Sequence, residues 1–303
     1  MRKKNAVAIA GAALGLFAFT GIAMAAPAAP DPSPNVPLNT AGEYQTAKYV
    51  GISTGRAKFK PEGSGNETGF VSGFTVPSGK KFTKKKWTNA AMTFRTSTGN
   101  GTYPGTGIPD PAVRAQVVFS SNLKWDFSKA GPPCAQSAVA GLSTALAKAA
   151  CPNSIIGEGV ARVRVPGLFE AFGETRVAVT AFHGENDTAG NPTVILYSRN
   201  DGTATGAALI GTVVNKPGWA GSSDYGKMLD VYIPTLTGGT TVLTQFELTV
   251  GNGWKNGFIQ GKCVKPTFKT SSRFYFSAKD QPGGGADQGA DSYLPASGST
   301  KCG

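Results

Sequence analysis

The chain carries one histidine, His183, in Ala181-Phe182-His183-Gly184. A histidine metal centre is thereby excluded unless carboxylates supply the other ligands. As a general base, His183 needs a nucleophile and an orienting acid. Gly51-Ile52-Ser53-Thr54-Gly55 matches the G-x-S-x-G pattern of a nucleophile elbow. In a chain this rich in Gly and Ser, chance alone supplies roughly 0.4 such matches. An elbow also needs a strand–turn–helix, which the flanking residues do not suggest. His183 therefore reads as a strand-end side chain facing solvent.

Glycoside hydrolysis needs two convergent carboxylates. Glu158, Glu170, Glu174, Glu185, Asp224, Asp230 and Glu247 are available, and nothing in their spacing selects a pair. Two acidic segments, Gly184-Glu185-Asn186-Asp187-Thr188 and Asn200-Asp201-Gly202-Thr203, carry oxygen ligands without EF-hand spacing. Asn-Asp and Asp-Gly are turn formers first, so both read as turns. Gly157-Glu158-Gly159 opens a strand after a helix, the reverse of a dinucleotide-binding loop; its glycines read as sites of close packing or of a bulge. Trp125, Trp219 and Trp254 read as core or turn packing. No catalytic residue, metal site or cofactor is assigned.

One segment has the composition of a binding site. Lys80-Lys81-Phe82-Thr83-Lys84-Lys85-Lys86-Trp87 places five lysines in seven positions beside two aromatics. Lys80, Lys81, Lys84, Lys85, Lys86 and Trp87 are the candidate contacts for an anionic cell-wall polymer or membrane surface. The structural alternative is a solvated, lysine-blunted segment at the start of a strand.

The elements that must position these residues are strands. Apolar runs separated by Gly, Pro and Asn predict strands at Gln45–Lys60, Thr68–Val76, Trp87–Ser97, Ala112–Ser120, Leu123–Phe127, Ile155–Val165 and Thr175–His183. They continue at Pro192–Tyr197, Ala207–Val214, Lys227–Ile233, Thr241–Val250, Gly257–Lys265 and Arg273–Ser277. Within Val160–Val165 the valines are expected on one face and the arginines on the other. Many close strands without βαβ alternation predict an all-β, antiparallel β-sandwich, Greek-key or jelly-roll-like. One short helix is predicted near 143–150, capped by Ser143 or Thr144 and stopped by Pro152.

The first 25 residues have the pattern of a signal peptide: Arg2, Lys3 and Lys4, an apolar core from Ala6 to Phe19, then Ala23-Met24-Ala25. Residues 26–44 form a Pro/Ala-rich linker, and 45–303 read as one β-sandwich domain. Two β subdomains meeting near 130–155 are the alternative. Losing the leader lowers the formal charge from +12 to about +9, still basic enough to attract polyanions. Export makes nucleic acid a poor partner. No transmembrane segment is expected in the mature chain, and its oligomeric state is open.

Four cysteines allow three pairings. An unbroken helix from Cys134 to Cys151 would hold them too far apart to bond, but Gly141 interrupts it. Locality and topology favour Cys134–Cys151 with Cys263–Cys302, the second tying the Gly-rich tail to a strand. Disulfides fit the exported, oxidising compartment.

These features together resemble a family of uncharacterised secreted proteins of high-GC Gram-positive bacteria. The resemblance rests on the lysine-rich lead and strand from Lys84 to Thr93, the apolar strand from Val117 to Phe127, and the Cys134–Gly159 block. Ile233-Pro234, Cys263 and Cys302 continue it, while Phe182-His183-Gly184 departs from a Phe-Asn-Gly pattern at its middle position. It spans about residues 46–303 and implies a disulfide-bonded β-sandwich without known activity. The function expected is a secreted, non-enzymatic binding or structural module at the cell envelope. The rival readings are an exported carbohydrate-active enzyme with unidentified carboxylates and a structural module that works through its edge strands.

Overall fold

A computed structural model describes residues 50–58, 66–77, 79–100, 112–164, 175–234, 242–251, 256–276 and 293–302. The expected leader (1–25) and linker (26–44) lie outside them. Strands are β1 (Val50–Lys58), β2 (Asn66–Thr75), β3 (Thr88–Asn100), β4 (Ala112–Ser120), β5 (Leu123–Trp125), β6 (Ile155–Arg164) and β7 (Thr175–Gly184). They continue with β8 (Thr193–Asn200), β9 (Thr205–Asn215), β10 (Tyr225–Tyr232), β11 (Val242–Val250), β12 (Ile259–Gly261), β13 (Thr267–Phe276) and β14 (Tyr293–Lys301). Every strand ladder is antiparallel. The all-β antiparallel class is therefore as the sequence predicts.

The ladders link the strands in one path, β1-β2-β3-β11-β6-β7-β8-β9-β10-β4-β13-β14, with β12 and β5 branching from β3. They do not divide the strands into two sheets. The path curls until its ends lie side by side, Cα atoms of β1 and β14 approaching within 8 Å. Strands from before and after the helical region alternate along it: β11 pairs with β3, and β4 sits between β10 and β13. Inside the curl, one apolar cluster collects side chains from strands all along the path, among them Phe74, Met92, Phe119, Val179, Leu196, Val213, Leu248 and Phe268.

β6 shows how sequence periodicity becomes packing, and where it misleads. Ala161 and Val163 join the core, and Arg162 faces solvent. Val160 falls on the arginine side, because side chains alternate with a strict period of two, so the valines do not all share one face. It is buried even so, opposite Glu247 of β11. Both readings of the entry glycines hold. The register shifts between Ile155 and Gly157, and a Cβ on Gly159 would lie 1.9 Å from the Glu247 carbonyl oxygen.

Two short helices form, α1 (Gln136–Val139) and α2 (Thr144–Ala150), where the sequence predicts only the second. Ser143 caps α2 by accepting from the Leu146 amide at 3.3 Å. Gly141 stands between the helices at φ +77°, a conformation costly for any residue with a Cβ, so the chain reverses there. Cys134 and Cys151 thereby meet with Cα atoms 5.9 Å apart and form a disulfide; Cys263 and Cys302 form the other, at 5.7 Å. Val139 and Ala147 press onto Phe182, Ile195 and Tyr197 on the outer face of β7 and β8. Among the described residues no helix is long and apolar enough to cross a membrane.

Other boundaries differ from expectation. The chain leaves β5 at Trp125 for a 3-10 turn, Phe127–Lys129. β12 is only three residues long, and β13 starts at Thr267 rather than Arg273. β14, with Pro295 and Gly298, is absent from the predicted strands. Its composition suits a loop, but it lies at the end of the path, where a proline lacking an N–H is tolerated.

Candidate functional site

The lysine segment is an anchored loop at the start of β3. Lys80 donates its amide to the Pro77 carbonyl at 2.9 Å, closing a turn through Gly79 at φ +71°. Phe82 then points inward, 3 % exposed, with its ring centroid 5.9 Å from that of Phe74 and 5.2 Å from that of Phe268. It lies directly over Gly261 of β12, where a Cβ would come within 2.3 Å of the ring. With Phe82 pinned, Lys80, Lys81, Lys84, Lys85, Lys86 and Trp87 are all exposed. The segment 80–87 thus buries one aromatic and presents the other.

Tertiary structure adds basic residues that sequence spacing did not connect to this loop. The Cys263 amide donates to the Thr83 carbonyl at 2.9 Å, and Gly261 pairs with Thr88, so Lys262, Val264 and Lys265 run alongside the loop. Their backbone is clamped by Asn122, which is fully buried. Its side-chain amide donates to the Lys265 and Thr267 carbonyls at 3.0 and 2.9 Å, and its Oδ1 accepts from the Lys265 amide at 2.6 Å. The Cys263–Cys302 disulfide and the Thr267–Lys301 pairing then bring exposed Lys301 to the same corner. The available sequence signal was the cysteine pairing, which ties residues 301 and 262 together.

Among the described residues, no carboxylate forms an ion pair with any of the five loop lysines, Lys262 or Lys301. The acid beside Lys265, Asp224, is engaged by Lys269 at 2.6 Å, and Asp126, at the far end of β12, by Lys124 at 2.9 Å. Hydrogen bonds from Ser128 and Lys124 hold the Asp126 carboxyl below its usual range, and Lys269 and Ser222 do the same for Asp224. Lys265 reaches Ser223 Oγ at 3.1 Å. The corner is consequently an excess of positive charge with its local acids already paired.

The other residues suited to chemistry do not converge on a site. Ser53 lies within β1, opposite Ser72, rather than at an elbow. His183 does not face solvent as expected; it is 9 % exposed. The segment leading to Cys134 covers it: the Cys134 amide donates to the His183 carbonyl at 2.8 Å. Its Nδ1 lies 2.8 Å from the Gly131 carbonyl oxygen, and its ring packs on Phe127. As that oxygen only accepts, Nδ1 carries the proton.

Four of the five described candidate carboxylates each pair with a cation of their own, Asp224 with Lys269 as above, while Glu185 stands exposed beyond β7. Glu158 pairs with Lys148, Glu247 with Arg95, and Asp230 with Arg114 at 2.6 Å, while Glu170 and Glu174 lie outside the described residues. Asp230 also accepts from Gln116 at 3.1 Å, and its hydrogen bonds raise the Arg114 pKa against the opposing effect of burial. Asp187 folds back onto the Asn191 side chain and amide, and Asn200 Oδ1 accepts from the Gly202 and Thr203 amides, both as turns. Among the described residues no three His, Cys, Asp or Glu side chains converge on a metal position. Trp125 packs with Phe119 and Phe258, and Trp219 lies against Arg273, whose guanidinium carbon is 4.1 Å from its ring centre; Trp254 lies outside the described residues.

No family model, curated protein or solved structure matches this chain.

Proposed function

We propose that this chain is a secreted, disulfide-bonded, non-enzymatic module that attaches to anionic components of the cell envelope through the Lys80–Trp87 corner. The observation that carries this reading is the convergence of lysines from three separate segments without carboxylate partners among the described residues. A merely solvated strand lead needs neither a buried aromatic anchor nor lysines brought in beside Cys263 and Cys302. Attraction between such a patch and a polyanion is screened over about 8 Å at physiological salt, so it is strongest at low ionic strength. The leader-like pattern at residues 1–25 and the two disulfides support export.

The test is retention on isolated cell envelopes across a salt series, comparing the parent with a variant in which Lys80, Lys81, Lys84, Lys85 and Lys86 are all glutamine. The parent should elute as salt rises and the variant should fail to bind. Equal retention of the two refutes the reading. Release of sugars from the same envelopes would instead favour a carbohydrate-active enzyme.

A further inference from the structure

We infer that the anionic surface met by this corner is the headgroup layer of a lipid bilayer, with Trp87 and Val264 entering the interface; the inference rests on the binding reading above. Among the described residues four large apolar side chains are exposed: Trp87 at 38 %, Leu146 at 58 %, Tyr232 at 55 % and Val264 at 53 %. Leu146 is on α2 and Tyr232 on β10, whereas the other two both lie on the lysine corner. Trp87 precedes Thr88, which pairs with Gly261, and Val264 follows Cys263, whose amide is bound to Thr83. A tight turn, with the Val264 amide donating to the Lys262 carbonyl at 2.8 Å, presents the valine between Lys262 and Lys265.

A soluble polyanion neutralises the lysines but offers nothing to an exposed valine and indole. A bilayer supplies both environments within a few ångströms: phosphates for the ammonium groups and the acyl boundary for the apolar tips. Tryptophan favours that boundary because its ring is apolar while its N–H still finds a partner. Lysines fit beside it, since their methylene stems lie along apolar matter while the charged ends reach up to the headgroups. Phe82, Asn122 and the Cys263–Cys302 bond hold the two tips on a fixed backbone, so little ordering is needed on contact.

Sedimentation with phosphatidylcholine vesicles, with and without phosphatidylglycerol, tests this, with sodium polyphosphate as the soluble polyanion. The parent should sediment with the anionic vesicles only. Val264→Ser should lower vesicle partitioning about fivefold while leaving polyphosphate binding unchanged, and adding Trp87→Ser should deepen the vesicle loss to about tenfold. The five-lysine variant should lose both, by about fivefold per lysine on the vesicles. Near-ultraviolet circular dichroism and intact disulfides establish that each variant is folded. Vesicle binding undiminished in either serine variant overturns the lipid inference. So does a parent that binds polyphosphate and ignores vesicles, an outcome that leaves the proposed function standing. A five-lysine variant that binds both as well as the parent removes the proposed function and the inference together.

Discussion

Phe82→Ala separates an anchored lysine loop from a merely solvated one. The ring is 3 % exposed, packs against both Phe74 and Phe268, and fills the space over Gly261. Truncating such a ring to alanine removes about 3–5 kcal/mol from stability, the range reflecting how far neighbours collapse into the gap. The two aromatic contacts, about 0.5–1.5 kcal/mol each, are part of that total rather than additions to it. Because the residues on both sides of Phe82 in the segment are largely exposed rather than packed, they can move toward the gap once the ring is gone, and the lower end applies, about 3 kcal/mol. Urea unfolding with both disulfides intact measures it as a lowered midpoint at unchanged slope. A local readout accompanies the global one. The Cys263 amide, bonded to the Thr83 carbonyl at 2.9 Å, should exchange faster with solvent in the variant than amides of β7 and β8 do. Phe82→Leu keeps most of the volume and should cost less than about 1.5 kcal/mol. A Phe82→Ala variant losing under about 1 kcal/mol, or one in which Cys263 stays as protected as in the parent, refutes the anchoring role.

Two further outcomes test the fold. Gly159→Ala places a Cβ 1.9 Å from the Glu247 carbonyl oxygen, so β6 and β11 must part, costing about 2–4 kcal/mol. Gly218→Ala, with no atom within 4 Å of the added Cβ, should stay within about 0.5 kcal/mol of the parent, and equal effects would contradict the close-approach account. Stability should also respond to acid. The Asp187 carboxyl is lowered by the Asn191 side chain and then its amide, and that of Asp224 by Lys269 and then Ser222. A carboxyl lowered in the folded state contributes stability that is present above its unfolded pKa and lost as pH falls through the folded one. The urea midpoint should therefore hold above about pH 5 and fall progressively below about pH 4, less steeply in Asp187→Asn. A midpoint that rises on acidification contradicts the assignment.

Much of the architecture was legible because it rests on local rules. Val177 and Val179 alternate with Ala178 and do face the core, Ser143 does cap its helix, and Gly141 does break the chain. Where two long-range neighbours decide a segment's fate, local rules were silent. Thr267–Ser272 has almost no apolar alternation and becomes strand because β4 and β14 bracket it. His183 is a strand-end residue by sequence, yet the return of the Cys134 segment buries it. Asn122 sits in an unremarkable Ser-Ser-Asn turn, and the distant 262–267 segment supplies its side-chain partners.

The lysine corner divides the same way. Composition and short spacing alone set the run of charge from Lys80 to Lys86 and its flanking aromatics, and locality gave a preference among the three cysteine pairings. Tertiary structure alone decided that Phe82 turns inward while Trp87 stays out, because that choice is made by Phe74, Phe268 and the missing side chain of Gly261. It also decided that Lys262, Val264 and Lys301 join the loop. The antiparallel pairing of β3 with β12, and of β13 with β14, sets residues far apart in the chain a few ångströms apart in space.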